Sequence, residues 1–496
     1  MEKVNLKRET LEKEKGITIL ALIVTVIILI ILAGITISTI SGDNGIITNT
    51  SKAKFTTEVK DIQEQIELKE IKSNNGKEYQ FGSLEEIIGI SNEYNNKLCI
   101  EDGKLVYIPE KVSENEAKWL EEMDIKAKQN IIPIYTKEQF KKIGSNEEVE
   151  IEQLQGEKFV FTKEAHYALQ NSIDLGCNDE NQWNTLLNEY NNPFKGIFEG
   201  NNYTISGIYI NDANKDNQSL FGYNSGTIQN LKVEGYIQAN NYISGITIRN
   251  NGKIINCENR VEIYLNGNSA GGIVVENNGK IENCVNNAYL KLYAMAGGIC
   301  GNNSANGKII KCYNNHEITF VDFTLGGIVG NNEGIIEQCY NLRNINKVDK
   351  YSRYGKGGIC GGNSNTGNII NCYNLGDLDA KGWSIGGITG SNAGNVEYSY
   401  NTGYISGPEY VGCLTGNNSR TIKNCYSIDN DIEIASENTG SIENTLILTE
   451  KQMQLKEKIT LDNGQEVTLL ELLNSNGVFW QEDEKNQNKG FPILIK

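Results

Sequence analysis

The chain has 496 residues and a formal net charge of −17, from 63 acidic and 46 basic side chains with only two histidines. That balance argues against nucleic acid and against anionic lipid head groups as partners, and makes the bulk of the chain a self-repelling acidic body. The length allows roughly two to four domains.

The amino terminus is the first organised element. After a polar leader carrying Lys3, Lys7, Arg8, Lys13 and Lys15, the segment Ile17–Ile40 runs for 24 residues without a charge. As a helix it spans about 30 Å of hydrocarbon, with the basic leader inside and everything after Ile40 outside, a single-pass cell-membrane protein whose bulk is extracellular. It is longer than the roughly 7–15-residue apolar core of a cleavable secretory signal. The leader ending Lys15-Gly16 before Ile17 resembles that of type IV prepilins and pseudopilins, and residues 42–72 resemble the segment after the apolar helix in Gram-positive pilin-like proteins. The resemblance implies a leader peptide over 1–16, cleavage between Gly16 and Ile17 by a prepilin peptidase, methylation of the new terminus, a transmembrane and pilin-like helix over 17–72, and pilin or pseudopilin subunits as partners. Pilins carry a glutamate at the fifth position after the cut, where this chain has Ala21, so the resemblance implies a minor tip subunit and not a major repeating one. An uncleaved signal anchor is the alternative.

Residues 73–130 read as a small α/β head. KLCIEDGKLVYI predicts a hairpin turned at Asp102-Gly103, and SENEAKWLEEMDI predicts a helix that packs Trp119 and Leu120. Residues 131–218 hold the amino-terminal cap and first strands of the next domain.

From Ser219 to Leu448 a phrase of the type GGIVGNN…GxIxxCYN returns about every 27 residues, the mark of a solenoid. β-branched residues, paired glycines and Asn-Asn turns recur, and no unit has helical apolar spacing, so the predicted fold is mainly β: a parallel β-helix of about eight coils. Each unit has room for a three-sided coil, since three strands of about 5 residues plus turns need roughly 25 residues. Ile228, Ile254, Ile281, Ile309, Ile336, Ile369, Val396, Ile422 and Ile442 form one inward column, and Ile246, Ile273, Ile299, Ile328, Ile359, Ile388 and Leu414 another. A third column runs Leu231, Cys257, Cys284, Cys312, Cys339, Cys372, Ser399, Cys425 and Thr445, three residues beyond the first. Both face inward if the chain turns a corner between them, and Asn230, Asn256, Asn283, Asn371, Asn424 and Asn444 suit that corner because Asn tolerates the left-handed region and can bond its neighbours above and below as a ladder. The phrase resembles the GLUG-motif repeats of bacterial surface proteins and adhesins, over about 330 residues including the flanks Tyr167–Trp183, Pro193–Asn211 and Gly477–Lys496. The resemblance implies a β-solenoid at the cell surface and carries no catalytic residue. Residues 449–496 are expected to cap the open end of the last coil.

The cysteine column interchanges with Ser, Thr and Leu, which reads as a small apolar position holding buried free thiols; on that reading Cys312→Ser is costlier than Cys312→Ala. No C-x-x-C pair exists and same-column cysteines do not converge, so neither metal nor cofactor is expected. His166 and His316 read as surface or turn residues, and no zinc-protease or nucleophile-elbow motif is present. The acidic pairs Asp377/Asp379 and Asp429/Asp431 have no matching partners on adjacent coils, so the expectation is not an enzyme, with a glycan-active β-helix enzyme as the alternative.

Two candidate binding features remain. Tyr313, Tyr340, Tyr373, Tyr400 and Tyr426 form a column that either stabilises one face or offers a platform for a glycan or partner protein. The insertions LRNINKVDKYSRYGK and LGDLDAKGWSI carry Tyr351, Arg353, Tyr354 and Trp383, with Tyr404 and Tyr410 on the next coil, and Arg343, Lys347, Lys350, Arg353 and Lys356 make a basic island on the acidic chain. Solenoid insertions gather on binding faces. The expected function is therefore a membrane-anchored or pilus-associated surface protein presenting a β-solenoid for adhesion or assembly, with a minor pseudopilin lacking an adhesive role as the alternative. The partner is a glycan or host-surface protein.

Overall fold

The computed structural model describes residues 46–73, parts of 84–127, and 131–495 apart from 294, 321–322 and 348–353. The apolar segment 17–40 and the Gly16-Ile17 junction lie outside the described residues, among which no helix is long and apolar enough to cross a membrane. The chain divides into two compact units, Met1–Gln129 and Asn130–Lys496.

In the first unit the helix Ile46–Ser73 buries Phe55, Val59, Ile62 and Ile66. Those four recur at three- and four-residue steps, so they share one helix face. Their core partners include Leu98, Leu105, Tyr107, Leu120 and Ile125. The expected hairpin is present as Leu98–Glu101 paired antiparallel with Lys104–Tyr107. The expected helix spans Glu114–Glu122, opened by a reciprocal cap in which the Ser113 hydroxyl accepts from the Glu116 N–H while the Glu116 carboxylate accepts from the Ser113 N–H. Leu120 is buried, and Trp119 packs its ring on Phe55 at 5.7 Å.

The second unit is a parallel β-solenoid. Each coil differs from the expected three strands of five residues: a typical one contains Leu325–Gly326, Val329–Asn332, Ile335–Glu337, Tyr340–Asn341 and Ile345–Lys347. Paired glycines and asparagine turns break the sides into short pieces. Every piece pairs in parallel with its counterpart on the next coil, as in Val329↔Cys360, Ile336↔Ile369 and Tyr340↔Tyr373. The Val329 stack holds nine strands, so there are about nine turns. The last is a shortened coil in which Asn418 and Asn438 are only 20 residues apart.

Three devices set the coil. At the first, the Ile and Cys columns both point inward because the residue between them is left-handed: Asn230, Asn256, Asn283, Asn371, Asn424 and Asn444 have φ of 47–54°, and Lys311, Gln338 and Tyr398 adopt the same conformation. Asparagine makes this corner least costly without being required. At the second, the glycine pairs leave no room for a side chain. A Cβ on Gly298 would lie 2.2 Å from the Gly327 carbonyl oxygen, and one on Gly327 would lie 2.1 Å from that of Gly358. The third extends the ladder expected at the corner, where Asn230, Asn256 and Asn283 are bonded amide to amide, to two inward columns that were not foreseen. Asn224, Asn250, Asn277, Asn303, Asn332, Asn363, Asn392, Asn418 and Asn438 are bonded amide to amide through the coils at 2.8–2.9 Å. A second ladder joins Asn259, Asn286, Asn314, Asn341, Asn374 and Asn401. Each interior asparagine accepts through Oδ1 from the coil before and donates through Nδ2 to the coil after, so the ladder runs in one direction through every coil.

The cysteine column needs a correction. Its members are free and buried, but the position is not merely apolar. The N–H of Cys257, Cys284 and Cys312 each donates to the sulfur one coil on, at 3.4 Å, and where the next residue is Ser399 or Thr445 the hydroxyl accepts in the same way. That shared task explains the interchange. Cys312→Ser should then change stability by less than about 1 kcal/mol, while Cys312→Ala, leaving the buried Cys284 N–H without an acceptor, should cost about 1–3 kcal/mol. Urea unfolding of the two variants checks the order, which is the reverse of the sequence expectation.

At the start of the solenoid, Phe140 on the short helix Lys137–Lys141 plugs the coil, its ring 5.6–5.8 Å from those of Trp183, Phe198 and Phe221. The tail packs sideways on the tyrosine column: Trp480 contacts Tyr373 and Tyr400, its indole N–H donates to Asn371 Oδ1 at 3.2 Å, and Tyr400 donates to the Pro492 carbonyl at 2.6 Å.

Candidate functional site

The tail's position removes one candidate. The rings of Tyr313, Tyr340, Tyr373 and Tyr400 lie 4.7–5.1 Å apart within 9° of parallel, so each ring covers its neighbour's faces. Tyr373, Tyr400 and Tyr426 are buried with Met453, Leu469, Leu473 and Trp480 of the tail. Burial pushes the Tyr400 hydroxyl pKa well up. This column is the seat of the tail and not an open platform.

The insertions present a different row. Leu325, Lys356 and Ile385 are in register on three successive coils, so Phe323, Tyr354 and Trp383, each two residues earlier, occupy one corner position. They are 39%, 48% and 39% exposed. Phe323 stacks on Tyr354 at 4.7 Å and 18°, and Trp383 meets Tyr410 at 5.4 Å and 64°. Phe323 and Tyr410 hold φ of 65° and 51°, a conformation uncommon for bulky residues and costly to keep. Phe323 was missed in the sequence because the insertions differ in length; only the strand register aligns it with Tyr354 and Trp383.

The remaining expected residues divide. Tyr404 is 59% exposed but stands at another corner, its N–H donating to Asp377 Oδ1 at 2.9 Å. Tyr351 and Arg353 lie outside the described residues. The basic island loses Lys356, which is fully buried in a column otherwise filled by Leu325 and Ile385 and donates from Nζ to the Tyr354 carbonyl. Arg343 is exposed and holds the Asn315 carbonyl at 3.3 Å.

Among the described residues no group of three or more His, Cys, Asp or Glu side chains is arranged to hold a metal ion. His166 is not a turn residue: it lies on the strand His166–Leu169, half-buried, and burial lowers its pKa against the opposing pull of Glu199.

No family model matches this chain, and no curated protein matches it. Among solved structures, that of a putative immunoglobulin A1 protease from Bacteroides ovatus is similar at a TM-score of 0.37 and 17% identity, over 73% of this chain and 91% of that one. A likeness this distant carries no argument about activity.

Proposed function

We propose that the protein is a bacterial surface protein, held to the cell membrane through Ile17–Ile40 and associated with a pilus if Gly16-Ile17 is processed, whose β-solenoid binds a glycan or host-surface protein without catalysing a reaction. The observation that carries the reading is the corner row. Three ring side chains occupy one position on three successive coils and stay exposed, although the tail covers the comparable rings of the tyrosine column. Aromatic residues of this kind, with arginine nearby, are enriched at binding hot spots. Arg343 and Arg353 belong to the same inserted segment.

The test replaces Tyr351, Tyr354 and Trp383 together by alanine. The variant should keep the β-helical circular dichroism spectrum, because Tyr354 and Trp383 stand outside the inward columns, and should bind host-cell and glycan-coated surfaces at least tenfold more weakly. If it adheres as well as the parent while deletion of residues 78–128 abolishes adhesion, the solenoid is a stalk and the first unit is the binding domain.

A further inference from the structure

A second row of aromatics lies on earlier coils, on a face that neither the corner row nor the tail occupies. Tyr209 pairs in register with Tyr236. The ring contacts then pass to Tyr264, whose register partners are Gln238 and Lys291, to Tyr289, two residues before Lys291, and to His316. The Tyr209–Tyr236 rings are 5.6 Å apart and inclined at 23°. The angle then opens to 37° at Tyr264, 62° at Tyr289 and 70° at His316. A parallel stack hides its ring faces, as the Tyr313–Tyr400 column does. A fanned one leaves part of each face uncovered by its neighbour, and Tyr236, Tyr264 and Tyr289 are half-buried.

Where the fan opens there is a cavity of about 420 Å³, lined by Tyr236, Tyr264, Tyr293, Gln238, Asn266 and Lys291. Its size falls within the usual range for small-ligand sites, about 300–1,000 Å³. Polar groups converge on it. The Tyr236 hydroxyl donates to Gln238 Oε1 at 2.6 Å and the Tyr264 hydroxyl to Glu262 Oε2 at 3.3 Å, so both phenol oxygens remain acceptors and the Gln238 amide nitrogen remains a donor. Lys291 is exposed at the rim, in register with Tyr264.

We propose that this fanned tyrosine row binds a neutral polysaccharide, with one sugar unit seated in the Tyr236–Tyr264 cavity and the chain running along the row. Sugar rings offer apolar C–H faces that lie on aromatic rings and hydroxyls that need the mixed donors and acceptors found here. The row advances by one ring per coil with ring centroids 5.1–6.1 Å apart, close to the length of one sugar in an extended chain. The preference for a neutral chain rests on charge: Lys291 is the single cation of the lining, Glu262 stands two residues from Tyr264, and the chain carries −17 overall, so a polyanion finds no continuous cationic track here. The inference uses coils, rings and a ligand chemistry distinct from the corner row and does not depend on that row.

Affinity electrophoresis and titration calorimetry of the full chain against laminarin and yeast mannan as neutral polysaccharides, with alginate as the anionic control, test it. Binding to a neutral polysaccharide is expected, weakened at least tenfold by Tyr236→Ala with Tyr264→Ala. Gln238→Ala, which removes a donor without unpacking a ring, should weaken it several-fold while leaving the melting temperature in place. The Tyr351/Tyr354/Trp383 variant should bind these polysaccharides normally, which separates this site from the corner row. Failure to bind either neutral polymer, a preference for alginate, or unchanged binding in both the double tyrosine and Gln238→Ala variants overturns the proposal.

Discussion

Asn332→Asp should be among the most damaging single-atom changes the solenoid can suffer. Asn332 Oδ1 accepts from Asn303 Nδ2 at 2.8 Å and from the Gly334 N–H at 3.2 Å, while its Nδ2 donates to Asn363 Oδ1 at 2.9 Å and to the Gly334 carbonyl at 3.1 Å. Aspartate has nearly the same shape but cannot donate when ionised, so one carboxylate oxygen faces two acceptors in a site with no solvent exposure. The loss should be about 3–5 kcal/mol, the range for an uncompensated buried charge. Asn332→Ala removes the same bonds without introducing charge and should cost less, about 2–3 kcal/mol. The signs differ with pH. The folded site disfavours ionisation, so the new carboxyl has a raised pKa when folded; its deficit is full above that pKa, shrinks as the pH falls through it, and is gone below the unfolded pKa. The alanine variant should show no such recovery. Urea unfolding of both variants between neutral and acidic pH measures this, and an aspartate variant as stable as the parent at neutral pH would show that the ladder's direction of donation is unimportant.

Gly327→Ala should be comparably severe for a steric reason. Its Cβ would lie 2.1 Å from the Gly358 carbonyl oxygen and 2.7 Å from Asn341 Cγ, both fixed by the next coil or by the second asparagine ladder. Relief requires separating two coils that are bonded on both sides. The expected cost reaches the upper end of overpacking, about 3 kcal/mol. Gly362→Ala is the control: its nearest neighbour would be the Asn331 side chain at 3.2 Å, and the register-matched residues on adjacent coils are Asn331 and Ser391. It should unfold within about 1 kcal/mol of the parent. Equal melting temperatures for the two alanine variants would refute the steric account of the glycine pair.

Both expectations concern residues whose repetition was plain in the sequence but whose reason was not. The period, the inward isoleucines and the asparagine corner could be read directly, because each recurs where a coil must place an apolar or left-handed residue. The column at Cys312 was also visible, yet its task was misread: interchange among Cys, Ser and Thr looks like small size until the backbone of the coil before it is seen donating to the sulfur. The ladder through Asn332 was hidden for a similar reason. Asparagine is so common in the turns that nothing in one coil distinguishes an inward amide from a solvated one.

The candidate sites were less legible still. Tyr354 and Trp383 stood out as aromatics in insertions, but Phe323 joins them only through the pairing of Leu325 with Lys356. Lys356 read as a surface charge, although its register position carries it inward.

What the sequence determined by itself is local and periodic. A 27-residue repeat, β-branched columns, glycine pairs and left-handed corners suffice to specify a parallel β-solenoid, because each coil solves the same packing problem as its neighbour. What only the tertiary structure decided is which faces remain open. The tail lies on the Tyr373–Tyr426 column through Trp480 and Met453, the early tyrosines fan apart around a cavity, and insertions of unequal length bring Phe323, Tyr354 and Trp383 to one corner. Exposure depends on contacts between residues up to about a hundred positions apart, such as Trp480 with Asn371, and no repeat spacing encodes these.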